Sequence, residues 1–279
     1  MPPPKEVLNI PNDLNAFNYV QDRYSKFLSE LPVYEREEIG TPKIFWWCWL
    51  QGLENAPPLC KMCLKSLRRN YSDYQINVVT LKNMGDYVSF PEHIIKKFSA
   101  GKISPTHFSD LLRLELLINY GGVWADSCVL ATGREKDYLQ EPLFIFQSTW
   151  RNAPAHLGSS WFIVSEKGNS ILKTTRDLLY KYWQDHDALG NGGFYFLIHC
   201  MFHLAADKYP DLWAKVPVFS NIPPHMLQME FFKPYNPDRF EQIKRMSNFH
   251  KLSWKNPPAQ LAPEKTAGTN YDYLMKFFA

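Results

Sequence analysis

At 279 residues the chain is long enough to bury a sizeable core within one domain. Hydrophobic residues make up 45% and aromatic residues 15%, with 9 Trp, 15 Tyr and 19 Phe, which excludes a disordered chain. A net charge of +3 from 31 basic and 28 acidic residues, with no run of five or six like charges, argues against a nucleic-acid partner.

The longest apolar run, Ile44 to Leu50, is far short of the roughly 20 residues a membrane-spanning helix needs. Met1-Pro2-Pro3-Pro4-Lys5-Glu6 lacks a basic, apolar secretory leader, and a cytoplasmic location is expected. The five cysteines (Cys48, Cys60, Cys63, Cys128, Cys200) are odd in number and scattered, which fits buried thiols better than a disulfide framework. Cys60 and Cys63 form a CxxC without a second ligand pair at zinc spacing, so core packing is expected for both.

In chain order, Leu14, Phe17, Val20, Tyr24 and Leu28 predict a helix over 12–30, stopped by Pro32. Residues 43–50 read as a β-strand, Leu59 to Asn70 as a helix, and 75–80 as a second strand. A short helix over 91–98 precedes a longer one, with Ser104 as N-cap and Pro105 at its first position, ending at Gly121-Gly122. Residues 123–130 follow as a third strand, then strands near 143–147 and 161–164, an amphipathic helix over 171–183 and a buried helix over 194–206. The last third is rich in Pro and predicted to be loops. Strand and helix alternate, which predicts an α/β fold with a mostly parallel sheet and ligands at strand C-termini. The expected partition is an N-terminal helical extension over 1–40, a main domain over 41–256, and a tail over 257–279 packed on it.

The stretch from Ser109 to Cys128 is the most informative. Asp110 and Arg113 lie three apart on one helix face, and that helix feeds a Gly-Gly turn into a strand bearing Asp126. A charged pair in a Leu-rich helix is either a structural salt bridge or the edge of a binding site.

Ser109-Asp110, Arg113, Tyr120-Gly121-Gly122 and Trp124-Ala125-Asp126 together resemble the donor-binding core of the capsular polysaccharide synthesis and family 32 glycosyltransferases. The catalytic domain of the large clostridial glucosylating toxins is similar. Thr41-Pro42-Lys43-Ile44 with Cys48-Trp49 resembles that family's opening strand, and His250-Lys251-Leu252-Ser253-Trp254-Lys255 resembles the C-terminal signature of the capsular branch. The resemblance covers about Thr41 to Lys255 and rests on three ordered motifs.

It implies a GT-A fold, Rossmann-like, and a retaining enzyme moving a hexose or N-acetylhexosamine from a nucleotide-sugar, UDP-linked, to a surface-glycan acceptor, lipid-linked. On the same resemblance, Trp49 would stack on the base, and Thr80 and Asn83 would approach the base edge or ribose. Asp110 would bind sugar hydroxyls with Arg113 beside it, and Asp126 would touch the ribose and a divalent cation, Mn²⁺ or Mg²⁺. His250, Lys251 and Lys255 would neutralise the diphosphate, with Trp254 closing over it. Cys128 stands where the family's second metal-binding Asp belongs, and a thiol suits Mg²⁺ or Mn²⁺ poorly. A binding module without catalysis, or an effector that glycosylates protein, are the alternatives.

Other polar residues have plainer expectations. Trp46 and Trp47 are core or acceptor-side rings, Glu115 a salt-bridged helix residue, and His199 with His203 a packed or acceptor-facing pair. His107 would cap a helix or line the cleft, while Asn191, Gly192-Gly193 and Tyr195 would form an acceptor loop. Lys251, Trp254, Lys255, Phe277 and Phe278 are candidates for peripheral membrane contact.

Overall fold

A computed structural model describes residues 5–36, 39–135, 137–148, 155–190, 192–256 and 258–278. The order is α1 (Lys5–Glu30), β1 (Ile44–Cys48), α2 (Pro58–Asn70), β2 (Gln75–Val79), α3 (Glu92–Ser99), α4 (Pro105–Tyr120), β3 (Gly122–Ala125), β4 (Val129–Ala131), β5 (Leu143–Gln147) and β6 (Gly158–Ser165). There follow α5 (Ser170–Asp185), α6 (Leu197–Lys208), α7 (Pro210–Trp213), α8 (Ile222–Met229), α9 (Pro237–Met246), β7 (Phe249–Lys251), α10 (Pro263–Thr266) and α11 (Asn270–Phe277). Asn191 lies outside the described residues.

The central sheet has the order β2-β1-β3-β6-β5. β1 pairs in parallel with β2 and β3, while β6 runs antiparallel to both β3 and β5. Four of the five strands therefore share one direction, as the alternation of strand and helix predicts. The chain leaves β1 for β2 on one side and returns to β3 on the other. Loops at the carboxyl ends of β1 and β3 consequently diverge and leave a crevice between them.

Both faces of the sheet are covered, because successive side chains on a strand point in opposite directions. Trp46, Trp124 and Ile163 face one cluster together with residues of α1, α4, α5 and α6. Phe45, Trp47, Val123 and Phe162 face the other, with residues of α2, α8, α9 and α11. Phe17, Val20 and Tyr24 of α1 belong to the first cluster, and Leu274 of α11 to the second. The CxxC cysteines are fully buried on α2, as packing residues.

Two sequence-based expectations are corrected. Residues 123–130 are not one strand: β3 and β4 lie in different sheets, β4 pairing with β7. The chain breaks at Asp126-Ser127-Cys128, where the Val129 N–H donates to the Asp126 carbonyl at 2.9 Å. The chain therefore turns out of the sheet just past Asp126, whose N–H still donates to the Trp161 carbonyl of β6 at 2.9 Å. The Pro-rich last third, expected as loops, contains α7 to α11 and β7 among the described residues. Proline fits the first turn of a helix, where its missing N–H has no partner to lose, and it occupies such positions in α7, α8, α9 and α10.

Candidate functional site

The crevice beyond β1 and β3 is a cleft of two connected lobes. The larger, about 660 Å³, is lined by Trp49, Arg113, Asp126, Lys251, Trp254 and Lys255 among others. The smaller, about 350 Å³, is lined by Asp110, His156, His199, Tyr195 and Asn221 among others. Arg113, Asp126, Lys251, His225, Thr106 and Tyr195 border both lobes.

Local sequence explains how these groups reach one place. Ser104 caps α4 by accepting from the His107 N–H, which starts the helix that carries Asp110 and Arg113. At its far end, Gly121 and Gly122 have φ of +72° and +99°, conformations that side chains disfavour. They turn the chain directly into β3. The buried Trp46 indole N–H donates to the Gly121 carbonyl at 2.9 Å, and that of Trp47 to the Ser127 carbonyl at 3.3 Å. Both tryptophans are thus core residues that brace the turns before and after Asp126.

Asp126 is the hub. Its Oδ1 accepts from the Trp124 indole at 2.9 Å and lies 3.6 Å from Arg113 Nη2, while its Oδ2 accepts from Lys251 Nζ at 2.6 Å. Burial works against ionisation of Asp126, but Lys251 and Arg113 outweigh it and hold the carboxyl below its ordinary range. Burial also opposes the Lys251 charge, and the Asp126 carboxylate reverses that, keeping the ammonium protonated. Lys251 Nζ lies 3.2 Å from Cys128 Sγ, whose thiol burial keeps protonated.

Arg113 Nη2 lies 2.9 Å from Asp110 Oδ1, its Nη1 donates to the Ser160 carbonyl, and its guanidinium sits 5.0 Å from the Trp124 ring centre. Burial pushes the Asp110 carboxyl up to about 7, with Arg113 pulling it down and Asp126 adding to the rise. Asp110 therefore changes charge near neutrality.

The expected site residues divide into two groups. Trp49, Asp110, Arg113, Asp126, Lys251, Trp254 and Lys255 all line the cleft. Trp254 packs edge to face on Trp49 with ring centres 5.3 Å apart, at the aromatic end of the larger lobe. Thr80, Asn83 and His250 are placed elsewhere. Asn83 Oδ1 accepts from both the N–H and the hydroxyl of Thr80, and its Nδ2 donates to the Val78 carbonyl, so the pair closes a turn after β2. His250 precedes Lys251 on β7 and points to the opposite side. It is fully buried, Nε2 lies 3.0 Å from the Thr132 hydroxyl, and burial pulls its pKa down to about 3. A neutral core imidazole cannot offset diphosphate charge.

The five residues expected to contact a membrane are also split. Lys251 is engaged in the cleft and Phe278 is buried, leaving Trp254, Lys255 and Phe277 exposed. No helix among the described residues is long and apolar enough to cross a membrane. His107 is buried between Ser104 and the Tyr195 carbonyl, and Glu115 accepts from the Tyr180 hydroxyl at 2.7 Å.

His225 and His156 were not singled out by sequence, although both line the cleft. His225 Nδ1 bonds the Asn221 carbonyl at 2.7 Å within the first turn of α8. The Pro223-Pro224 pair before it marks a helix start, which is the one local signal available.

The expected cation ligand, Asp126, is already paired within the protein. Both oxygens of Asp126 are engaged, one by an ammonium; the residue two positions on is a protonated thiol. No group of three His, Cys, Asp or Glu able to hold an ion occurs among the described residues.

The buried histidines set an acid limit on stability. Burial lowers His156 to about 4 and both His199 and His250 to about 3, from an ordinary 6.5. Below pH 6.5 the unfolded chain binds protons that these imidazoles refuse, so stability falls as pH drops toward 4. Asp110 and Asp13, raised by burial in the native state, work in the opposite direction but are outnumbered, since burial lowers His107 and His225 as well. The melting temperature should fall on going from pH 7 to pH 5, read by calorimetry; an unchanged value rejects the neutral assignment.

Comparison with known proteins shows the family to which the chain belongs. A curated O-glycosyltransferase, braB of Annulohypoxylon truncatum, is 24% identical over 165 residues, covering 53% of this chain and 39% of that protein. The chain thus spans about two fifths of the length of that relative. Among solved structures, the PaToxG glycosyltransferase superposes with a TM-score of 0.46 at 17% identity, covering 87% of this chain and 95% of that one. The apo-form glycosyltransferase GlyE of Streptococcus pneumoniae gives 0.41 at 12% identity, covering 85% and 63%. The decisive match is to the sequence profile of the capsular polysaccharide synthesis proteins, which aligns with residues 6–273 and so takes in nearly all of α1 and the first half of α11 as well as the cleft. With nearly its whole length matched, the chain belongs to the capsular polysaccharide synthesis protein family.

Proposed function

We propose that this chain is a glycosyltransferase with a GT-A-type donor site. It moves a hexose or N-acetylhexosamine from a UDP-linked nucleotide-sugar to a glycan acceptor, lipid-linked, in surface polysaccharide synthesis. One observation carries the reading: an aromatic wall, a paired Asp110–Arg113 and a charged Asp126–Lys251 hub share one cleft at the carboxyl ends of β1 and β3.

The larger lobe has the make-up a nucleoside diphosphate requires. Trp49 and Trp254 offer flat apolar area to the base at little entropic expense. Lys251 and Arg113 lie where the diphosphate would pass on toward the smaller lobe. Departure of a nucleoside diphosphate builds up negative charge, and cations already fixed in place stabilise that charge more than the ground state. Lys251 is held for this by Asp126, and Arg113 by Asp110 and the Ser160 carbonyl. Asp110, at the border of the smaller lobe, accepts hydrogen bonds from the transferred sugar.

Incubating the protein with UDP-glucose, UDP-galactose and their N-acetyl forms, with and without EDTA, tests the proposal by release of UDP. Turnover of one of these donors is expected, and EDTA should leave the rate unchanged because Lys251 supplies the charge. Asp110→Ala and Asp126→Asn should each lower turnover by about 100-fold or more while a cooperative melting transition persists. Full activity in both variants would remove the site assignment. UDP binding without hydrolysis or transfer, even with acceptor lipid present, would instead favour a non-catalytic binding module.

A further inference from the structure

The solvent face of α2 carries four cations, and no acidic residue occurs anywhere in the helix. The apolar side chains of α2 are buried, and with 3.6 residues per turn Lys61, Lys65, Arg68 and Arg69 project within an arc of about 100° on the outside. Lys65 and Arg68 are exposed and have no ion-pair partner among the described residues. Lys61 donates to the Glu54 carbonyl at 2.8 Å rather than to a carboxylate. Other exposed cations are matched: Lys43 and Arg134 share Asp73, Lys96 pairs with Glu92, and Lys276 with Asp272. Like charges three and four residues apart on a helix repel one another, so this face costs stability that an opposing anion would return.

The last helix ends against this face. The Arg69 guanidinium sits 4.4 Å from the Phe277 ring centre, and Phe277 is 47% exposed while Phe278 beside it is buried. An aromatic ring therefore stands in solvent at the end of a row of positive charge. The shape of the surface limits what can cover it. A helix face is convex and none of the four cations lines the cleft, so a compact ligand finds no cavity there. A second copy presenting the same face would be repelled. An extended anionic plane with an apolar layer just beneath it fits both features: phosphate headgroups oppose the cations, and the acyl boundary receives the ring.

Beyond the donor-site reading and independently of it, we infer that the exposed face of α2, with Phe277 of α11 at its end, is a docking surface for an anionic lipid bilayer. Attachment there is electrostatic and reversible, because a single exposed ring supplies the apolar part.

The test is co-sedimentation of the full chain with vesicles, which needs neither donor nor turnover and so stands or falls apart from the transferase reading. Vesicles of phosphatidylglycerol mixed with phosphatidylcholine should bind the protein, pure phosphatidylcholine should not, and about 0.5 M NaCl should release it. The double variant Lys65→Gln/Arg68→Gln should bind the anionic vesicles about 25-fold more weakly, about fivefold for each charge lost, with an unchanged melting temperature. Lys167→Gln/Lys215→Gln removes two exposed cations outside α2 and should bind within about twofold of the native protein. Phe277→Ser should weaken vesicle binding while leaving binding to dextran sulfate, a soluble polyanion without an apolar layer, within about twofold. Absence of vesicle binding by the native protein would overturn the inference. So would equal losses in the two double variants, which would show that net charge alone acts. Retention of full vesicle affinity by Phe277→Ser would assign the face to soluble polyanions and overturn it as well.

Discussion

Replacing Lys251 with Met is expected to lower the turnover number about 100- to 1,000-fold, the usual loss when one fixed donor to a developing oxyanion is removed. The substitution keeps the length and apolar stem of the side chain and deletes only the ammonium. Asp126 remains held by the Trp124 indole and faces Arg113, so the hub keeps two of its three polar contacts. The loss should fall mainly on the rate, with the donor KM changing less than the turnover number, because the leaving-group charge grows only as the bond to the sugar breaks. Lys251→Arg should recover part of the rate. Steady-state UDP release for the three proteins checks the prediction; an unchanged rate in Lys251→Met would mean that Lys251 merely fills space beside Asp126.

Gly122→Ala should be the most destabilising single-methyl addition in the donor-site motif. A Cβ at this position would lie 2.6 Å from the Ile44 carbonyl oxygen and 3.0 Å from the Ile44 Cβ, in a backbone conformation with φ of +99°. The obstruction is the neighbouring strand itself, which cannot rotate away as a side chain could. Relief requires β1 and β3 to separate where Phe45 pairs with Val123 and Trp46 with Trp124. Positive-φ strain plus a backbone clash should cost about 3 kcal/mol or more, a fall of roughly 6–12 °C in Tm. Activity should fall with it, since Asp126 leaves the sheet only four residues later. Gly85→Ala is the matched control, with nothing within 4 Å of the added atom and no left-handed backbone, and its Tm should stay close to that of the native protein. Thermal unfolding of both variants decides the matter, and equal melting temperatures would show that the strands yield cheaply.

Much of the fold is legible in local patterns because those patterns are themselves the cause of the structure. The aromatic run at 44–48 makes a strand since its rings alternate between two buried faces, and Ser104-Pro105 starts a helix by satisfying and omitting backbone donors. Prolines mislead in the last third for a reason of the same kind: a residue that cannot sit inside a helix is well suited to begin one. The break at Asp126 escapes the sequence because residues 123–130 are apolar on both sides of the Asp126-Ser127 pair. Only the pairing of β4 with β7, more than a hundred residues later, draws the chain out of the central sheet.

The site shows the same division. The spacing of Asp110 and Arg113 on one helix face, the paired glycines and the aspartate beyond them are set by the order of residues, since each depends on neighbours within a turn or two. The sequence by itself also determined that the chain folds around an aromatic α/β core and which family motifs it carries. Tertiary structure alone decided that Lys251 reaches Asp126 while His250, one residue earlier, is turned into the core, because a strand sends adjacent side chains to opposite faces and only packing chooses between them. It alone brought His156, His199 and His225 to the cleft, from a segment, a helix and a second helix whose separation along the chain encodes no distance in space.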